Sequence, residues 1–170
     1  MLFRSLVTNG GFETGDFSDW MQSGNTDFTG VTGTFFGTPP HSGDFQAFFG
    51  PAGSTGTITQ LLNTTPGGVY TVTFWLANFE GTPNFFAVHW GDTFTNTLTN
   101  WPAFVYTNEF SFDVTATLSV TALQFEFRQD AAFWLLDDVS VVGVPDAGST
   151  VSLLGSALLG LAVLRRKLSC

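Results

Sequence analysis

Two histidines, one cysteine and fourteen acidic residues limit the chemistry open to this chain. Neither His41 nor His89 lies in an HExxH frame, and no motif pairs either with an activated serine. Cys170 is the sole cysteine, so no CxxC pair and no intrachain disulfide can form. Asp137 and Asp138 stand side by side in WLLDDVSV, residues 134–141. Neighbouring side chains of a regular strand point to opposite faces, so these two cannot flank one glycosidic bond as a hydrolase pair does. In the same strand Leu135, Asp137, Val139 and Val141 share a face. If that face is the core, Asp137 is an acid among hydrophobes. It then needs a cation, a hydrogen-bonded network or a place at the edge. Calcium suits such a site, because hard cations take carboxylates together with backbone carbonyls. A second chemistry open to the chain is stacking of a sugar ring on an aromatic side chain. Trp90, Trp101, Tyr106 and Trp134 are the candidate rings, with Asn84, His89 and Asp92 as polar partners. Burial in a core is the ordinary fate of such rings, and Trp101, beside Pro102, is the easiest to expose.

The elements that must hold these residues read as all-β from Asn9 to Val142. The chain has 20 phenylalanines, and Gly, Asn, Asp and Pro punctuate it at short intervals. In VYTVTFWLA, 69–77, Tyr70, Val72, Phe74 and Leu76 form one face; Thr71, Thr73 and Trp75 form the other. Further strands are expected at Phe45–Gly50, Thr57–Leu62, Phe85–Trp90, Phe110–Val114, Leu118–Arg128 and Trp134–Val142. No segment of this region keeps a helical period. Many short strands joined by Gly- and Pro-rich turns predict two packed sheets, a jelly-roll β-sandwich over residues 7–143. Net charge is −9, and Arg128 is the only Lys or Arg between Asn9 and Val144. A nucleic-acid backbone would be repelled, so no nucleic-acid partner is expected.

Composition changes at Val144. VPDAGST, 144–150, is a linker, and VSLLGSALLGLAVL, 151–164, carries no charge. Counted from Ala147, the uncharged run would make a helix of about 27 Å, near the roughly 30 Å of a hydrocarbon core. It has no polar face to mark it as a surface helix. Arg165, Arg166 and Lys167 follow as a cytoplasmic flank, with the basic tail at 165–170. A single C-terminal transmembrane helix is therefore expected over 151–164, beginning as early as 147.

Two family resemblances add to this reading. The tail resembles the VPD variant of PEP-CTERM sorting signals, carried by Val144, Pro145, Asp146, Gly148, Ser149 and Thr150, then the apolar run and the basic cluster. That resemblance implies export, membrane retention and recognition by an exosortase-like enzyme at Val144–Asp146, in a bacterial envelope protein linked to extracellular polysaccharide. NGGFETGDFSDW at 9–20, HSGDFQAFFG at 41–50 and WLLDDVSV at 134–141 together resemble carbohydrate-binding-module jelly rolls with a galactose-binding-like sandwich. This second resemblance implies a structural calcium ion held by Glu13 and Asp137, with Asp138 a weaker ligand. MLFRSL has no apolar run of signal-peptide length, which conflicts with an export tail, so a truncated N-terminus is expected. The function expected is a non-enzymatic surface or matrix protein that binds polysaccharide. A purely structural adhesin or sheath component is the alternative, and a glycan hydrolase ranks last.

Overall fold

The strands form where apolar and polar residues alternate with a period of two. The computed structural model describes residues 4–145. Within them are ten strands, β1 (Met21–Gly24), β2 (Thr29–Thr32), β3 (Gln46–Phe49), β4 (Gly56–Asn63), β5 (Val69–Asn78), β6 (Asn84–Trp90), β7 (Thr93–Thr99), β8 (Glu109–Thr115), β9 (Val120–Gln129) and β10 (Trp134–Gly143). One sheet has the order β1-β4-β9-β6-β7 and the other β2-β3-β10-β5-β8. Every strand pairing is antiparallel. From β3 to β6 the chain crosses from sheet to sheet at each step, and so it does again from β7 to β10. The result is an all-β jelly roll.

The core lies between the two sheets. Tyr70, Val72, Phe74 and Leu76 of β5 are buried, as the alternation requires. Leu123, Phe125 and Phe127 of β9 face them from the other sheet. Phenylalanine fills the gap: Phe49 stacks on Phe127 at 3.7 Å and Phe74 meets Phe125 edge-on at 5.3 Å. Each such buried ring contributes about 1.5–3 kcal/mol.

Three strands escape the sequence reading. β1 and β2 have only four residues each and contain no fully buried side chain. β7 is an edge strand whose residues are mostly threonine, so its alternation is weak.

β10 departs from the expected parity. Its register against β5 shifts between Asp137 and Ser140, and Asp138 adopts a positive φ of 49°. This is a β-bulge. Before it, Trp134 and Leu136 enter the core; after it, Val139 and Val141 do. Leu135 and Asp137 therefore do not share a face with Val139 and Val141. They lie on the outer side of the sheet and are sealed there by loops.

The segment 9–20 closes one edge of the sandwich. Asn9 ties it together: its Nδ2 donates to the carbonyls of Asp16 and Ser18 at 3.1 and 3.0 Å. Phe12 and Trp20 enter the core, and the Trp20 indole N–H bonds the Asn9 carbonyl at 3.1 Å. Asn9 takes a positive φ of 51° in a turn closed by the Phe12 N–H on its carbonyl, whereas Gly10 is required by close approach. A Cβ there would meet the Val139 carbonyl oxygen, whose own N–H bonds the Gly10 carbonyl at 2.9 Å.

The ladder ends where the Val144 N–H bonds the Val69 carbonyl at 2.8 Å, and Pro145 follows, exposed. Among the described residues no helix is long and apolar enough to cross a membrane. The expected span 151–164 (or from 147), the linker beyond Pro145 and the basic tail lie outside the described residues.

Gly10→Ala is expected to separate the N-terminal loop from the bulge and lower stability by about 2–4 kcal/mol, read from urea unfolding midpoints. A midpoint unchanged from that of the parent chain would show that the contact is not needed.

Candidate functional site

Two outer surfaces hold the residues with chemical potential. The first is the turn His41–Ser42–Gly43, laid over the outer face of β10 and β5. Both acids of the bulge engage it. Asp137 Oδ2 accepts the His41 and Ser42 N–H groups at 2.8 and 3.3 Å, and Oδ1 accepts the Asp138 N–H at 2.8 Å. Asp138 takes the His41 ring at 2.6 Å (Nδ1 to Oδ2) and the Ser42 hydroxyl at 2.7 Å. The expectation that the two carboxylates diverge is thus corrected: the positive φ of Asp138 turns both onto one loop. The His41 imidazole stacks on Trp75 with ring centroids 3.7 Å apart. Glu13 joins from the N-terminal loop and accepts the Asp44 and Phe45 N–H groups at 3.0 and 3.2 Å.

These three acids surround Gly11. A Cβ built there would lie 3.4 Å from Asp138 Oδ1, 3.6 Å from Glu13 Cγ and 3.8 Å from Asp137 Oδ1. Asp137 is fully buried. Burial, with the charge of Asp138 second, pushes its carboxyl up to about 7 against three opposing backbone hydrogen bonds. The same burial and the two aspartates raise the Tyr106 phenol, so it stays protonated and donates to Gln46 Oε1 at 2.6 Å. Among the described residues no group of three or more His, Cys, Asp and Glu side chains could hold a metal ion. A calcium ion here would rest on two acids and draw the remainder of its six to eight oxygens from backbone carbonyls.

The aromatic candidates separate clearly. Trp90 and Trp134 are core residues, with their indole N–H groups on the Thr115 and Arg128 carbonyls, both at 3.1 Å. Their inward strand positions remove them as platforms. Tyr106 is half-buried and commits its hydroxyl to Gln46. Trp101 is 47 % exposed. Of the polar partners, Asn84 is buried and structural: its Oδ1 receives the Trp101 N–H at 2.9 Å, which positions that loop. His89 pairs with Glu126 at 3.0 Å, and Asp92 is exposed.

The second surface is the outer face of the β9–β6–β7 side. Near its Asn84 end is an open depression of about 320 Å³, lined by residues that include Phe85, Thr99, Asn100, Glu126 and Arg128. Phe85 lies opposite Arg128 on one side and Thr99 on the other. Asp130 holds the Arg128 guanidinium with two bonds, 2.7 and 3.2 Å, and that pairing lowers the Asp130 carboxyl and raises the guanidinium. The sequence marks Arg128 only as the lone base between Asn9 and Val144, and it does not single out Phe85 or Glu126. The usable signal was the complement of the core pattern: with Phe86, Val88, Phe125 and Phe127 inside, their strand neighbours face out.

The comparisons with known proteins fit this architecture. A VPDSG-CTERM motif is matched over residues 143–168, beginning at the last residue of β10. No curated protein matches the chain. Among solved structures, TmCBM61 in complex with β-1,4-galactotriose is similar with a TM-score of 0.64 at 20% identity, over 83% of this chain and 99% of that one. The CBM22-1–GH10 modules of the Clostridium thermocellum endo-1,4-β-D-xylanase 10B, complexed with xylohexaose, give 0.59 at 18%, over 86% and 30%. A cyclase from Fischerella sp. TAU in complex with 4-(1H-indol-3-yl)butan-2-one gives 0.62 at 16%, over 85% and 98%. The chain thus carries a VPDSG-CTERM motif behind a jelly-roll β-sandwich similar in fold to these proteins.

A carboxyl raised in the folded state stabilises below its unfolded value, and that stability is lost as pH rises through the folded value. In chelator, stability should therefore fall by about 4 kcal/mol between pH 4 and about pH 8 on account of Asp137. Asp137→Asn should flatten that slope in pH-dependent thermal melts; an equally steep slope in the variant would assign it elsewhere.

Proposed function

We propose that this chain is an exported bacterial envelope protein that displays a glycan-binding jelly roll. Its C-terminal signal would be read at Val144, Pro145 and Asp146 by an exosortase-like enzyme. The run 151–164 would span the membrane, with Arg165, Arg166 and Lys167 on the cytoplasmic side. β10 supports this arrangement. It begins at Trp134, whose indole bonds the carbonyl of Arg128 in the depression, and ends at Gly143, one residue before the tail departs at Val144. Ten residues of strand cover about 33 Å. An anchored tail would thus hold the depression well clear of the bilayer.

One observation carries the binding role: an outward-facing Phe85 set between Arg128 and Thr99, with Glu126 and Asn100 close by. An aromatic ring takes the C–H face of a sugar, and fixed polar groups around it take the hydroxyls. Guanidinium has five N–H donors, so the two given to Asp130 leave others for a ligand. A carboxylate has about four acceptor sites, so the bond to His89 does not exhaust Glu126. The ligand class is an uncharged polysaccharide, because the body has thirteen acids against Arg128. Among the described residues that one arginine is already neutralised by Asp130. Uronic acid polymers would be repelled.

Calcium belongs to the proposal as a structural ion at Glu13 and Asp137, with Asp138 beside them. It would favour the ionised form of the buried carboxylate, which burial alone disfavours.

Titration of the full chain in detergent against a panel of neutral and acidic glycans tests the binding role. Phe85→Ala should cost about ten-fold in affinity for the glycan that binds, with Trp101→Ala costing less. Failure of every glycan to bind the folded chain would leave a purely structural role. For the ion, chelation should lower the melting temperature at neutral pH and added calcium should restore it. A melting temperature indifferent to both would remove calcium from the account.

A further inference from the structure

A second aromatic cluster lies outside the sandwich core. Phe35, Phe36, Phe48, Phe79 and Phe133 pack on the outer side of the β2–β3–β10–β5 face. Phe35 lies at its centre, 4.6 Å from Phe48 and 4.8 Å from Phe133 between ring centroids. Phe36, Phe79, Ala131, Ala132 and Phe133 line an open bowl of about 370 Å³. Phe36 is 80 % exposed.

The backbone under Phe36 is unusual. Phe35 and Thr38 exchange both N–H···O bonds, at 2.8 and 2.9 Å, so Phe36 and Gly37 form a two-residue hairpin turn. Both have positive φ, 44° and 85°. Such a turn favours asparagine before the glycine, and a bulky side chain there is strained. The strained residue is also the most exposed phenylalanine among the described residues. The hairpin is braced, since buried Gln46 donates to the Gly33 and Thr38 carbonyls at 2.8 and 2.9 Å. Strain on a braced turn that serves to expose an aromatic ring points to a ligand contact.

What meets that ring follows from continuity with the depression. Two loops, 79–83 and 130–133, run side by side from the bowl to the depression. The Phe79 N–H bonds the Phe133 carbonyl at 2.9 Å, and the Asp130 N–H bonds the Pro83 carbonyl at 3.1 Å. Phe79 lies in the bowl and Pro83 in the depression. Three residues lie between them, four steps of chain that span at most about 14 Å. Exposed Glu80 and Thr82 lie along this saddle and offer oxygens to hydroxyl groups.

We infer that the phenylalanine bowl is a second subsite for the same glycan, so that the protein binds the interior of a long polysaccharide across the loop saddle and not a chain end. The inference rests on the glycan-binding reading of the depression. A long chain reaches both Phe85 and Phe36, whereas a disaccharide occupies only one of the two sites.

The test uses the full chain in detergent and length ladders, dimer through octamer, of β-1,4-linked galactan, xylan and glucan. On the ladder that binds, affinity should rise at least about ten-fold from dimer to octamer. Phe36→Asn should abolish that rise and leave dimer affinity within about two-fold. The same variant should raise the melting temperature, because asparagine suits the turn. Loss of long-chain binding in a more stable protein is an outcome that misfolding cannot produce. Affinity that levels off at the dimer, or octamer affinity unchanged in Phe36→Asn, overturns the second subsite while the depression stands. No binding on any ladder, together with none on the wider panel, overturns the glycan reading itself and this inference with it.

Discussion

A carboxylate sealed from water at the middle of a central strand is the constraint around which this molecule is arranged. Asp137 can be buried only if several donors converge on it. Two come from the turn at His41 and Ser42 and one from its own neighbour Asp138. Each requirement shapes a different part of the chain. The donor from Asp138 depends on the bulge. The bulge resets the parity of β10 so that Val139 and Val141 enter the core. The turn at 41–43 must lie flat on the sheet, which brings Gly43 against Glu13 and draws in the N-terminal loop. Gly10 then fits under the Val139 carbonyl, where a side chain has no room. Remote segments are thus joined by hydrogen bonds to a single strand, and that strand continues into the sorting motif.

How much of this could be read beforehand depends on which physical signal each part emits. β5 was legible residue by residue, because Tyr70, Val72, Phe74 and Leu76 alternate without interruption and no bulge intervenes. β10 was legible as a strand but not in its facing. Parity across a bulge is set by φ at Asp138, and nothing in LLDDVSV announces a positive φ. The islands at 9–20, 41–50 and 134–141 were recognised separately. Their meeting around Gly11 is a tertiary fact, produced by carboxylates reaching across 96 or 97 positions of sequence to His41. The aromatic candidates were chosen by residue type, with burial expected for most of them and exposure for Trp101, and Trp90 and Trp134 are buried while Trp101 is exposed. Tryptophan has the larger apolar surface and goes to the core when its N–H finds a carbonyl, as for Trp90 and Trp134. The outward rings include phenylalanines, which the high count of that residue had hidden among core positions.

Polarity along β10 gives the molecule two unlike ends. At the Trp134 end the loops 79–83, 100–104 and 130–133 gather aromatic and polar groups, and Phe28, Phe36 and Trp101 stand exposed. At the Gly143 end the ladder closes against Val69, and the chain leaves at an exposed proline. Proline there has a physical consequence. It donates no N–H and disfavours helix in the residue before it, so the strand cannot run on and a helix cannot begin at Val144. The CTERM motif therefore starts on the last paired residues of β10, and the chain turns out of the ladder at Pro145.

The scarcity of basic residues bears on both ends at once. A surface with one arginine between Asn9 and Val144 has little to offer an anionic polymer, and its acids repel one another when crowded. Local neutralisation keeps this tolerable. Asp130 is neutralised by Arg128, and Asp138 and Glu126 are hydrogen-bonded to the His41 and His89 rings. The remaining exposed acids, such as Asp27, Asp92, Glu109 and Asp113, are spread over separate loops and an edge strand, where solvent screens them. On β8, an edge of its sheet, Glu109 and Asp113 point outward and oppose pairing with a further strand. Negative charge on this body therefore disfavours contact with acidic polymers. An uncharged polymer meets no such barrier.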